Sequence, residues 1–331
     1  MPELRKDPIT GTWVIISSER KQRPKYYLSA FEQDLSTPAT CPFCPGNEAM
    51  TPREIAAHRP GGGPADGPGW EWRVFPNKYP ALRVEGELSE SAEGFFNRMN
   101  GIGTHEVIVE TPDHGKSLAA LEPGKLQAVL SVFRERIIDL QRDSRFRYVM
   151  IFKNKGAAAG ATIAHSHSQL VALPVIPIRV QEELLGAENY FRLKERCLFC
   201  DIINYEGEAN RRLLCENDCF TIMAPYAPRF PFEFVLYPKK HTPAFESSSD
   251  HELAALAELL KIFLERIDKT LNNPDYNLIL HNSPFTGNSR EYYHWHFEFA
   301  PILTRVAGFE WGSGFYINPV SPEESVRALK K

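Results

Sequence analysis

Four cysteines fall in two C-x-x-C pairs, Cys41/Cys44 and Cys197/Cys200, and four histidines form two H-x-H pairs, His165/His167 and His294/His296. Thiolate and imidazole are ligands that zinc prefers, and structural zinc sites fill all four tetrahedral positions with such groups. A C-x-x-C turn supplies two ligands, and histidines from the same half can close the shell. For the first pair the candidates are His58, His105, His114 and His165; for the second they are His241, His251, His281, His294 and His296. The rival reading, redox-active thiols, expects a strand–helix–strand setting that neither pair has. Cys215 and Cys219 read as small apolar packing groups.

The H-x-H pair is the sharper feature. On a strand, positions i and i+2 share a face, so one imidazole can hold a metal while its neighbour stays free. With an ordinary pKa near about 6.5, a free imidazole is largely neutral at pH 7 and therefore nucleophilic. Attack on phosphorus gives a phosphoramidate and splits one group transfer into two easier steps. Gln169, on the same face as His165 and His167, offers an amide donor to a phosphoryl oxygen as charge builds. Directly upstream, Asn154 to Thr162 form a Gly/Ala-rich loop (NKGAAAGAT) whose backbone N–H groups can approach a phosphate, with Lys155 and Thr162 in reach.

Strands and helices must hold these groups in place. Residues 13–16, 72–75, 106–110 and 148–152 are rich in β-branched and aromatic side chains and read as strands. Residues 121–142 carry Leu126, Val129, Leu130, Phe133, Ile137 and Leu140 at helical spacing. The same order recurs downstream: C-x-x-C, strands at 220–223 and 234–237, a helix over 250–271, a strand at 277–280, a loop, and an H-x-H strand. The C-x-x-C pairs are 156 residues apart and the H-x-H pairs 129, which reads as a diverged duplication. Two halves follow, residues 1–180 and 181–331. The fold expected is α+β, a mainly antiparallel sheet or half-barrel with flanking helices.

Composition excludes other classes. The 331 residues carry a net charge of −4 and no basic block, so a nucleic-acid backbone has no electrostatic counterpart here. No run reaches the roughly 18 apolar residues of a membrane span, and the first residues show no secretory signal; a cytoplasmic protein is expected.

At this point the residues resemble a known family. The stretch Asn154–Ala158 through His165-x-His167-x-Gln169 is similar to the active-site strand of the galactose-1-phosphate uridylyltransferases, a branch of the histidine-triad superfamily. The likeness extends to Asp7–Ile15, Arg20–Pro24, Cys41–Cys44, Val74–Pro80, Thr111–His114 and Gly308–Glu310, and so spans nearly the whole chain. It implies duplicated histidine-triad-like halves, a place in galactose metabolism, and exchange of UMP between UDP-glucose and galactose 1-phosphate. In that scheme His167 is the nucleophile and Gln169 its catalytic partner, while His165, Cys41, Cys44 and His114 bind zinc. Arg20, Arg23, Asn77 and Lys78 fall where the family holds the nucleotide; Asn154, Gly160, Thr162 and Gln169 fall around the phosphates. Glu310 matches a segment that completes the neighbouring subunit's site, which implies a homodimer.

The chain departs from the better-known members in reading His-Ser-His-Ser-Gln where they have His-Pro-His-Gly-Gln. That variant resembles a subgroup that includes plant ADP-glucose phosphorylase, which passes AMP to phosphate. The subgroup's second zinc site matches Cys197, Cys200, His241 and His294, whereas other members use a carboxylate and histidines at positions corresponding to His281 and His296. The cysteine version is preferred because thiolate outcompetes carboxylate for zinc. The expected function is thus a UDP-glucose:hexose-1-phosphate uridylyltransferase acting on a UDP-sugar and a sugar 1-phosphate. The alternatives are an ADP-sugar phosphorylase using the same histidine, a hydrolase, and a zinc-bearing protein that only binds nucleotides. Among the histidines, His58, His105 and His251 are left as surface or core residues.

Overall fold

A computed structural model of the chain describes residues 3–16 and 37–331. Its fifteen described strands are β1 Glu3–Lys6, β2 Trp13–Ile16, β3 Ala56–His58, β4 Trp72–Pro76, β5 Ser91–Glu93, β6 Phe96–Arg98, β7 Thr104–Val109, β8 Tyr148–Lys155, β9 His167–Leu173, β10 Leu213–Glu216, β11 Phe220–Met223, β12 Phe234–Pro238, β13 Tyr276–His281, β14 His296–Pro301 and β15 Tyr316–Asn318. The six described helices are α1 Pro123–Leu140, α2 Ile178–Lys194, α3 Leu198–Ala209, α4 Asp250–Leu271, α5 Gly308–Ser313 and α6 Pro322–Leu329. None of the helices is long and apolar enough to cross a membrane.

Ten strands form one sheet in the order β10-β11-β12-β14-β13-β8-β9-β7-β4-β3, and every neighbouring pair in it is antiparallel. Read from the two edges inward, β3-β4-β7-β9-β8 matches β10-β11-β12-β14-β13 element for element. The halves join through β8 and β13, with Ile151 opposite Leu280 and Lys155 opposite Tyr276. This is the duplicated, mainly antiparallel arrangement expected from the repeat of motifs.

Side-chain alternation gives the sheet two different faces. One face carries Val149, Ile151, Leu170, Ala172, Leu278, Leu280, Phe297 and Phe299, packed in a single core with α1 and α4. Helix α4 presents Leu253, Leu256, Leu260, Phe263, Leu264 and Ile267 at spacings of three and four, all buried; burial of each contributes about 2 kcal/mol. Its start is fixed by a capping box: Ser249 Oγ accepts from Glu252 N at 3.2 Å and Ser249 N donates to the Glu252 carboxylate at 2.8 Å. Asn272, in the left-handed region at φ +57°, ends it.

The opposite face carries two smaller apolar clusters, one around Cys41, Phe43, Cys44, Phe75, Val107 and Val109 and one around Cys197, Phe199, Met223, Val235 and Tyr237. Each cluster surrounds one C-x-x-C pair. A separate three-stranded sheet, β1-β2-β15, ties the two ends of the chain together, with β15 parallel to β2. Helix α2 lies tight against the turn after β1: a Cβ on Gly186 would sit 1.7 Å from the carbonyl oxygen of Ile9.

The helices at 123–140 and 250–271 lie where periodicity put them. Helices α2 and α3 were not anticipated. The second C-x-x-C pair straddles the start of α3 rather than leading directly into a strand. Strand β9 begins at His167, so His165 lies just before the strand and not on it.

Candidate active site and metal centres

Strand β9 places His167 and Gln169 on the outer face, away from the helix-covered core that holds Leu170 and Ala172. The His167 ring is 7 % exposed and packs edge-on against Phe43, with ring centres 5.1 Å apart. Its Nδ1 lies 2.8 Å from the carbonyl oxygen of His165. A carbonyl only accepts, so Nδ1 carries the proton and Nε2 keeps its lone pair. Among the described residues, nothing hydrogen-bonds Nε2. Burial, reinforced by the charge of Lys153, pushes the imidazole down to about 4. At neutral pH this histidine is therefore an uncharged base with one nitrogen free.

His165 makes the opposite arrangement. Its Nε2 donates to the carbonyl of Thr111 at 2.8 Å, leaving Nδ1 unprotonated and 3.4 Å from Cys44 Sγ and 3.7 Å from Cys41 Sγ. His114 Nδ1 lies 3.3 Å from Cys44 Sγ. The four donor atoms lie within 4.8 Å of one another. A zinc tetrahedron with Zn–S about 2.3 Å and Zn–N about 2.0 Å has S···N edges of about 3.5 Å, so the set fits. Burial, with the neighbouring Cys41, pushes the Cys44 thiol up to about 11, a penalty that a cation would relieve.

The second half repeats the pattern. His294 Nε2 donates to Pro238 O at 2.8 Å and His241 Nε2 to Arg290 O at 2.9 Å. Both Nδ1 atoms thus face Cys200 Sγ, at 3.6 and 3.4 Å. With Cys197 they form a second cluster able to hold a metal. A backbone carbonyl fixing the tautomer of a ligand imidazole is the outer support that metal sites require.

His281 and His296 belong to neither cluster. They meet Glu183 and Glu298 in a third group of potential ligands. Here His281 Nδ1 lies 2.8 Å from Glu183, Tyr293 donates to Glu183 at 2.8 Å, and Arg229 pairs with Glu298 at 2.7 Å. Burial pulls the His281 imidazole down, but Glu183 and Glu298 more than offset it and push it up to about 9. Its carboxylates thus already have cationic partners. His296 occupies, in its half, the strand position of His167, yet its Nε2 faces Glu183 at 3.9 Å. With His281 paired to Glu183 and Arg229 to Glu298, neither cation is left to meet a phosphate.

Beneath β9, on the helix side, lies a buried polar group. Lys153 donates to Glu110 at 2.7 Å, to Ser166 at 3.0 Å and to the backbone carbonyl of His167 at 3.0 Å. Ser166 and Ser168 each donate to Glu110 at 2.6 Å. These are the two serines that set His-Ser-His-Ser-Gln apart, and both clamp the strand to one carboxylate. Although burial opposes it, Lys153 and the two hydroxyls hold the Glu110 carboxyl below the usual carboxylate range.

The Gly/Ala loop is braced from the other half. Asn277 on β13 donates to Asn154 Oδ1 at 2.9 Å and to Ala159 O at 3.0 Å, and Asp275 accepts from Ala158 N at 2.8 Å. Gly156, at φ +85°, has no room for a side chain: a Cβ would lie 1.9 Å from the Asp275 carboxylate. Gly160 is left-handed at φ +93° and Thr162 is exposed. Lys155 is not part of this loop's inner surface. It ends β8 and pairs with Asp268 of α4 at 2.8 Å. Asn77 lies beside Gln169, Lys78 is exposed near Met50 O, and Glu310 caps α5 by accepting from Ala307 N at 3.0 Å. Arg20 and Arg23 lie outside the described residues. Sequence reasoning missed Glu110, Lys153, Glu183, Arg229 and His105, whose partners include residues 43 to 98 positions away in the chain.

Residues 1–177 match the description "Galactose-1-phosphate uridyl transferase, N-terminal domain" and residues 183–312 match "Galactose-1-phosphate uridyl transferase, C-terminal domain". The chain belongs to the galactose-1-phosphate uridyl transferase family. It is thereby a nucleotidyltransferase-type enzyme. Over its whole length it is 37% identical to an ADP-glucose phosphorylase of Arabidopsis thaliana, covering 93% of that protein. It is also 28% identical, again over its whole length, to a galactose-1-phosphate uridylyltransferase of Thermotoga maritima, covering 98% of it. The crystal structure of an Arabidopsis thaliana ADP-glucose phosphorylase with bound ADP-glucose superposes with a TM-score of 0.86 at 36% identity, covering 100% of this family member and 99% of that chain.

Proposed function

We propose that this family member moves a nucleoside monophosphate from a nucleoside diphosphate sugar to a phosphate-bearing acceptor, by a ping-pong route through His167. The observation that carries this is the tautomer of His167: Nδ1–H is held by the His165 carbonyl and Nε2 is free, in a ring kept neutral by burial. Nε2 attacks the α-phosphorus, the bond to the bridging oxygen breaks, and sugar 1-phosphate leaves. An oxygen of the acceptor then attacks the same phosphorus, the P–N bond breaks, and neutral His167 is restored. The carbonyl that accepts from Nδ1–H stabilises the positive charge the ring gains after attack.

Gln169 donates to the phosphoryl oxygens, and Asn154, Gly160 and Thr162 line the phosphates. Arg20, Arg23, Asn77 and Lys78 hold the nucleotide, and Glu310 completes the partner's site in a homodimer with residues 1–180 and 181–331 as the two halves of each subunit. Zinc in Cys41/Cys44/His114/His165 and Cys197/Cys200/His241/His294 is closed by four protein groups. Each ion then holds the fold rather than touching substrate.

For the donor we take an ADP-sugar, with inorganic phosphate as acceptor, in line with the likeness to ADP-glucose phosphorylase over the whole chain. A UDP-sugar with hexose 1-phosphate as acceptor, the order expected from the sequence, is the second reading, supported by the Thermotoga relative. Intact mass after incubation with ADP-glucose or UDP-glucose separates them: an AMP adduct is expected, and a UMP adduct alone selects the second reading. No adduct with either donor leaves a nucleotide-binding protein, and free nucleoside monophosphate without an acceptor means a hydrolase. Replacing Cys41→Ala is expected to lower bound zinc from two ions per chain to one, measured by elemental analysis.

A further inference from the structure

We propose that His105 is a positioning residue that sets which end of the Gln169 side chain faces the reacting phosphorus. The assignment rests on the reading of His167 and Gln169 given above. On β7, His105 and Val107 share the outer face, and Val107 is paired with Gln169 of β9, which brings the His105 ring beside the Gln169 amide. His105 Nε2 lies 2.7 Å from Gln169 Oε1.

Two backbone N–H groups decide every orientation in this cluster. Ala81 N donates to His105 Nδ1 at 3.2 Å, so Nδ1 is the acceptor and Nε2 carries the proton. Tyr79 N donates to Asn77 Oδ1 at 2.9 Å, which turns the Asn77 amide nitrogen inward, 3.2 Å from His105 Nε2 and 3.4 Å from Gln169 Oε1; since His105 Nε2 carries a proton, that nitrogen donates to the glutamine oxygen. Asn77 is itself anchored, its backbone N donating to His105 O at 2.7 Å. Gln169 Oε1 thus receives two donors. With its amide reversed, the Gln169 nitrogen would meet two other donors and no acceptor, an arrangement that buried or half-buried groups avoid. The oxygen end is engaged, so the N–H end is what Gln169 presents on the face it shares with His167. A phosphoryl oxygen gaining charge requires a donor there, and a carbonyl oxygen would repel it.

His105→Phe keeps the ring volume and removes the donor. The rate of adduct formation in single turnover is expected to fall about ten-fold, with KM for the nucleotide sugar within about two-fold of the parent and zinc content unchanged. Gln169→Ala should cost about 100-fold, and adding His105→Phe to it should lower the rate no further, because the histidine acts only through the amide. Additive losses, or a His105→Phe variant as fast as the parent, overturn the assignment while leaving the transfer reading intact. A parent protein that forms no adduct with either donor overturns both.

Discussion

His167→Ala is expected to abolish covalent capture of the nucleotide and to lower turnover by about 10⁴-fold or more, with both zinc ions retained. The effect is large because nothing else described in the site can replace the lost nitrogen. Gln169 has its oxygen engaged, Lys153 is buried on the other side of the strand, and His165 directs Nδ1 to two thiols and donates Nε2 to Thr111. Direct attack of the acceptor on the donor would need both substrates in line at once, which the proposed ping-pong route does not ask of the site. Intact mass should show no adduct, and elemental analysis should show unchanged zinc. Turnover within about ten-fold of the parent would remove His167 from the chemistry.

Lys153→Met should be the most damaging single change away from the reacting face, lowering stability by about 3–5 kcal/mol. Lys153 and Glu110 are both fully enclosed, and the lysine also holds the backbone carbonyl of His167. Removing the cation leaves an ionised carboxylate in the core, with only two serine hydroxyls to meet it. Adding Glu110→Gln should recover a large part of the loss, since the buried charge then disappears together with its partner. Urea unfolding of the two variants measures this. A Lys153→Met protein within about 0.5 kcal/mol of the parent would contradict the enclosed pair. The same network explains the two serines: a proline and a glycine at 166 and 168 would donate nothing to Glu110 from their side chains.

Much of the arrangement was legible in the chain itself. The spacing of C-x-x-C and H-x-H pairs marked the duplication, and apolar periodicity marked α1 and α4, because both are local patterns that a short window contains. Ligand types pointed to metal centres for the same reason. The helices α2 and α3 were less legible: the apolar stripe of α2 is weak, and α3 is only 12 residues long and begins inside the second C-x-x-C pair.

What sequence alone determined, then, is which side chains are available and their order: the thiol pairs, the imidazole pairs, the amide two residues on. The family resemblance assigned one histidine to a metal and left the other free; the physical reason lies in tertiary structure, because the tautomers depend on carbonyls of His165 and Thr111 that folding brings into place. Tertiary structure also separated His281 and His296 from the second thiol pair and set His105 against Gln169. Strand pairing puts residues 64 positions apart within one hydrogen bond, and no local pattern carries that distance.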